Sequence, residues 1–124
     1  MNYNKLVDRT LDAMKNLERQ LFTYRARRFT LSVIRQRQKL IDSGKSKKPP
    51  AGMLLIIDRL KVHLDAYPHT SSRAMARWFL KNQKDIRSLI PGNYHTNKKR
   101  FDDFASLREE ARMIHTRQTL MHLS

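Results

Sequence analysis

A chain of 124 residues holds one domain, or two small lobes sharing a core. It has no cysteine, which excludes a disulfide scaffold and any zinc site built on thiolates. Lys and Arg number 26 against 11 Asp and Glu, a net +15, so the folded body repels itself unless a polyanion is near, and it attracts phosphate backbones at long range.

The excess is densest early: 13 basic and 4 acidic residues lie up to Lys48, against 13 and 7 from Pro49 onward. Nucleic acid is therefore the expected partner, and the first part of the chain its expected contact. The longest apolar run, Met53 to Ile57, is far too short to span a bilayer, so no membrane partner is expected. The first residues, MNYNKLVDRTLD, carry acids and no apolar signal core. With cysteine absent as well, the expected location is cytoplasmic, beside the nucleoid in a bacterium.

Residues 4–26 place Leu6, Val7, Leu11, Met14, Leu17, Leu21 and Phe22 three and four apart, which predicts a helix with one apolar face. A polar turn is then expected at Arg27 to Thr30. Thr30 or Ser32 would cap a second helix over 32–41, held to the core by Val33, Ile34, Leu40 and Ile41. The stretch SGKSKKPPAG, residues 43–52, breaks this helix, because Gly44 closes it and Pro49-Pro50 forbid continuation. Residues 52–66 carry Met53, Leu54, Ile56, Ile57, Leu60, Val62 and Leu64, too many for one narrow stripe, so this helix is expected to be the most buried. AYPHTSS, residues 66–72, ends it, and Thr70 or Ser71 caps a helix over 71–90. The Pro91-Gly92 pair opens a turn before a last helix over 98–122 with Phe101, Phe104, Leu107, Ala111, Ile114 and Leu120 inward. No segment alternates with period two. The reading is all-α: about five helices in one basic domain over 1–124, with a sub-boundary at the 43–52 loop.

The order helix, turn, basic helix in the first third suggests a helix-turn-helix. Such a motif lays its second helix in the major groove and shows outer positions to base edges. Arg35, Gln36, Gln38 and Lys39 are the candidate readers, since Arg matches the acceptors of guanine and Gln the donor–acceptor pair of adenine. Arg25, Arg27, Arg28 and Ser32 at the turn would hold phosphates, which fix register without reading sequence. Lys45, Lys47 and Lys48 in the loop, Arg73 and Arg77 one turn apart, and Lys98, Lys99 and Arg100 complete the candidate nucleic-acid contacts.

Leu31-Ser32, the basic run 35–39, PPAGML from Pro49 to Leu54 and ARWFL from Ala76 to Leu80 together resemble the flagellar master transcription activator subunit FlhC over residues 14–81. The resemblance implies a DNA-binding transcriptional regulator working in a hetero-oligomer with a smaller helical partner, and a DNA-contacting helix at 32–41. The chain is shorter than that family and lacks the cysteine cluster that holds its structural zinc.

Other chemistries have less support. NYHTNKKRF, with Tyr94, His95 and Phe101 among lysines, could stack single-stranded bases, but Phe101 reads more simply as a core residue and the lysines as a phosphate patch. Trp78 likewise reads as core. His63, His69, His95, His115 and His122 show no metal-ligand spacing, so no metal or cofactor is expected. No nucleophile elbow or phosphate loop is present. The pairs Asp102-Asp103 and Glu109-Glu110 read as partners for nearby arginines rather than an acid–base dyad, so no enzyme activity is expected. The expected function is nucleic-acid binding, most simply a DNA-binding regulator of transcription or of a mobile element. The alternatives are an adaptor or inhibitor docking an acidic protein surface, and an RNA-binding protein.

Overall fold

A computed structural model of the chain describes residues 3–44, 51–66 and 70–123, and their side chains except 15–21 and 118–123. Every regular element among the described residues is a helix: α1 (Tyr3–Asp42), α2 (Ala51–Ala66), α3 (Ser72–Leu89) and α4 (Lys98–Leu123). The all-α expectation therefore holds. The segments expected at 4–26 and 32–41 run on as one element, and the turn expected at Arg27 to Thr30 is helical.

The reason lies in the sequence between the two segments. Phe22, Ala26, Phe29 and Val33 recur four, three and four apart, so one buried face runs straight through the expected turn. No Gly or Pro interrupts it. Thr30 is not a cap: its hydroxyl donates to the Ala26 carbonyl at 2.8 Å, inside the helix and fully buried. The tight turn that a helix-turn-helix requires is thus absent from this stretch.

Side-chain pairs fix how the helices run. Thr23 donates to the Thr70 carbonyl at 3.1 Å, and Arg37 Nε donates to the Leu89 carbonyl at 3.0 Å, so the second half of α1 lies parallel to α3. Arg25 pairs with Glu110 while Ser32 meets Arg100, so α4 runs antiparallel to α1. On α2, Arg59 Nη1 donates to Asn82 Oδ1 at 2.9 Å and Nη2 pairs with Asp85, while Trp78 Nε1 donates to His63 Nδ1 at 3.2 Å. These contacts set α2 antiparallel to α3.

The core is built around α3, which contributes Met75, Ala76, Phe79, Ile86 and Leu89. Phe104 of α4 stands between Phe29 and Phe79, with ring centroids 6.5 and 5.7 Å away in tilted geometry. Burial of each such ring contributes about 2–3 kcal/mol by area. The expectation that 52–66 is the most buried helix is corrected. Ile57, Leu60 and Leu64 enter the core, but Leu54, Leu55 and Val62 face solvent, because α2 covers the bundle on one side only.

The helix starts and stops follow local chemistry. Ser71 caps α3 as expected, its hydroxyl accepting from Ala74 N at 3.2 Å. Gly92 takes φ +79°, and behind it Asn93 Oδ1 accepts from the backbone of His95 and Thr96 at 3.0 and 3.1 Å. Asn97 Nδ2 closes the turn on the Pro91 carbonyl at 2.9 Å. This compact loop makes α3 and α4 a helical hairpin, and it brings the first turn of α4 beside Ser32 in the second half of α1.

Candidate nucleic-acid interface

Arg25, Arg28, Ser32, Arg35 and Lys39 recur three and four apart on α1, so they share the face turned away from the core. From Arg25 to Lys39 this ridge runs about 21 Å. Opposite its midpoint, at Ser32, stands the beginning of α4, with Lys98, Lys99 and Arg100 in succession, no acidic residue in the first turn, and Asp102 and Asp103 in the second. The partial positive charge of a helix N-terminus makes that arrangement unfavourable unless an anion is near.

Between the two helices lies a groove of about 490 Å³, lined by Tyr24, Arg25, Arg28, Ser32, Lys99 and Arg100 among others. Each cation there has a different degree of freedom. Arg25 is engaged, its Nη2 on Glu110 Oε1 at 2.6 Å. Arg28 lies over the Tyr24 ring, 5.9 Å from its centroid, and donates to the Tyr24 hydroxyl at 3.4 Å. That stacking orients the guanidinium while leaving most of its donors directed outward. Arg100 Nη2 donates to Ser32 Oγ at 2.6 Å, so Ser32 is an acceptor in the middle of α1 rather than a helix cap. Lys99 is exposed at the rim.

The basic run at 35–39 is split by helical geometry. Arg35 and Lys39 face solvent. Gln36 is half-buried, and its Oε1 is covered without a hydrogen-bond partner among the described residues. Arg37 turns inward to the end of α3, and burial lowers its pKa from the usual guanidinium value. Gln38 Nε2 donates to Asp42 Oδ1 at 3.0 Å. Arg27 is also half-buried, with its Nε covered. The run therefore presents two outward cations rather than five side chains in a row.

Arg73 and Arg77 are exposed on the first half of α3, whose start lies beside Thr23. Lys98 to Arg100 lie beside Ser32, so the two groups are separated by about 14 Å along α1. Lys45, Lys47 and Lys48 lie outside the described residues. Trp78 is half-buried against the core, as expected, and Phe101 packs there too.

A second crevice of about 930 Å³ runs between the end of α3 and the other side of α4, lined by Lys84, Arg87, Tyr94, Phe101, Asp102 and Arg108 among others. Lys84, Arg87 and Arg108 were not among the sequence candidates. The signal that links them is the Pro91-Gly92 turn, which folds α4 back along α3. Arg108 lies over the Phe104 ring at 5.6 Å.

Among the described residues, no three His, Cys, Asp or Glu side chains gather to hold a metal ion, and no helix is long and apolar enough to cross a membrane. Comparison with protein-family models, with curated proteins and with solved structures returned no match.

Proposed function

We propose that this chain binds nucleic acid, duplex DNA in preference, and acts as a regulator of transcription or of a mobile element. The observation that carries the reading is the groove between α1 and α4. There Arg28, Lys99 and Arg100 converge from two helices beside a helix whose first turn carries no acid, with Asp103 of the second turn the one carboxylate among the described lining residues. Phosphates are the ligand class that such a surface fits, since each contact releases condensed counterions and satisfies guanidinium and ammonium donors. Arg35 and Lys39 continue the surface along α1 and extend it past the groove. A ridge that long matches a polymer rather than a single phosphate. Duplex DNA is favoured because the cations lie on rigid helices, while the aromatic partner in the groove, Tyr24, is occupied by Arg28 and is not set out as a platform for bases.

Fluorescence anisotropy of the full chain with labelled duplex DNA, single-stranded DNA and RNA at low salt tests the reading. The triple variant Arg28→Ala, Lys99→Ala, Arg100→Ala should stay folded, lose about 1 kcal/mol of stability with the Arg100–Ser32 bond, and bind duplex DNA at least tenfold more weakly. Tighter binding to single-stranded RNA than to the duplex, or an affinity the triple variant does not change, would refute it.

A further inference from the structure

The apolar side chains in the first three turns of α1 take no part in the core. Every residue from Tyr3 to Met14 is exposed, yet Tyr3, Leu6, Val7, Leu11 and Met14 are among them, Tyr3 at 77% and Met14 at 54%. The segment continues α1 beyond the core, and burying its apolar side chains would stabilise it further.

The pattern indicates which surface. With Val7 and Met14 at heptad positions a, and Tyr3 and Thr10 at d, Leu6 falls at g and Leu11 at e. Lys5, Asp8, Arg9 and Asp12 all fall at the outer positions b, c and f. Thr10 Oγ1 donates to the Leu6 carbonyl at 2.9 Å, so its hydroxyl is satisfied within the helix and does not oppose a dry seam. The apolar stripe offers on the order of 500 Å² per chain, and two such stripes together approach the roughly 1,000 Å² that a specific association needs.

Charge selects the occupant. The segment Tyr3–Met14 holds two basic and two acidic residues, so the whole +15 lies outside it. A neutral outer face suits neither phosphates nor an anionic lipid surface, which call for Lys and Arg beside the apolar stripe. It does suit a second copy of itself, since two neutral segments meet without repulsion. Charge also selects the direction. Farther along α1 the same heptad positions become Arg28 and Arg35, which a parallel pair would set against their own copies.

We infer that Tyr3–Met14 pairs antiparallel with the same segment of a second copy of this chain. Centred between Asp8 and Arg9, the pairing sets Tyr3 against Met14 of the second copy and Val7 against its Thr10. The two Phe22 positions, where the basic bodies begin, then lie about 40 Å apart. That is several Debye lengths at physiological salt, so the bodies hardly repel. This inference is independent of what the basic groove binds.

Light scattering of the full chain after size exclusion, at tens of micromolar, should give twice the chain mass of 14.8 kDa. The double variant Leu6→Glu, Leu11→Glu should give the single-chain mass with an unchanged helical signal. A wild-type monomer, or a dimer that survives the double variant, overturns the inference, as does capture by anionic vesicles that depends on Leu6 and Leu11. Since the chain has no cysteine, direction is read independently of the Glu variants. Mixed Tyr3→Cys and Met14→Cys chains should cross-link on oxidation, whereas efficient cross-linking of Tyr3→Cys with itself overturns the antiparallel pair.

Discussion

Arg100 on α4 donates from Nη2 to the hydroxyl of Ser32 on α1 across 2.6 Å, joining the two walls of the basic groove at one point. The bond holds the guanidinium in place across the groove. Ser32→Ala is expected to cost about 1 kcal/mol of stability and to change duplex affinity by less than about threefold, because the cation remains. Arg100→Ala is expected to weaken binding about equally across DNA sequences and to reduce the salt slope by about 1. Anisotropy at several salt concentrations, beside urea unfolding, separates the two effects.

Arg35 and Arg37 are two residues apart and point to opposite tasks. Arg35 faces solvent, whereas Arg37 satisfies the Leu89 carbonyl where α3 ends. Arg35→Ala should lower the salt slope by about 1 and leave the unfolding midpoint unchanged. Arg37→Ala should leave the slope unchanged and cost about 1–2 kcal/mol by removing the partner of a helix-end carbonyl. Equal effects of both substitutions on binding would contradict this division.

The turn between α3 and α4 depends on a residue without a side chain. Gly92 has φ +79°, and a Cβ there would meet Thr96 Oγ1. Gly92→Ala should destabilise the protein by roughly 1–3 kcal/mol, read from the denaturation midpoint. Because the turn places the start of α4, duplex affinity should fall as well.

Arg59 joins α2 to α3 through Asn82, which is 3% exposed. Arg59→Met would leave Asn82 Oδ1 without its donor in a buried position, at a cost of roughly 1–3 kcal/mol. Asn82→Ala also breaks the bond to the Trp78 carbonyl at 2.8 Å. The double variant Arg59→Met, Asn82→Ala should therefore cost less than the two single effects added, as thermal unfolding would record.

The helical class, the Ser71 cap and the Pro91-Gly92 turn were legible because each depends on neighbouring residues. The continuity of α1 was legible too, in the spacing of Phe22, Ala26, Phe29 and Val33. The polar residues at Arg27, Arg28 and Thr30 concealed it, since they resemble a turn when composition is read without period. The exposure of Leu6, Val7, Leu11 and Met14 was not legible, because a stripe that faces a core and one that faces solvent have the same spacing. Nor was the split of the 35–39 run between outward and inward residues, which depends on where α3 ends. The meeting of Arg28 with Lys99 and Arg100 depends on the antiparallel packing of α1 and α4, and a linear reading contains that only as two separate basic clusters.

The central claim, that the surplus charge serves to meet phosphates, is tested most directly by the salt dependence of duplex DNA binding by the wild-type chain. The five cations of the groove and ridge, Arg28, Arg35, Lys39, Lys99 and Arg100, predict a straight line of log affinity against log salt with a slope of about −3 to −5. No binding at low ionic strength, or an affinity that salt leaves unchanged, would contradict it.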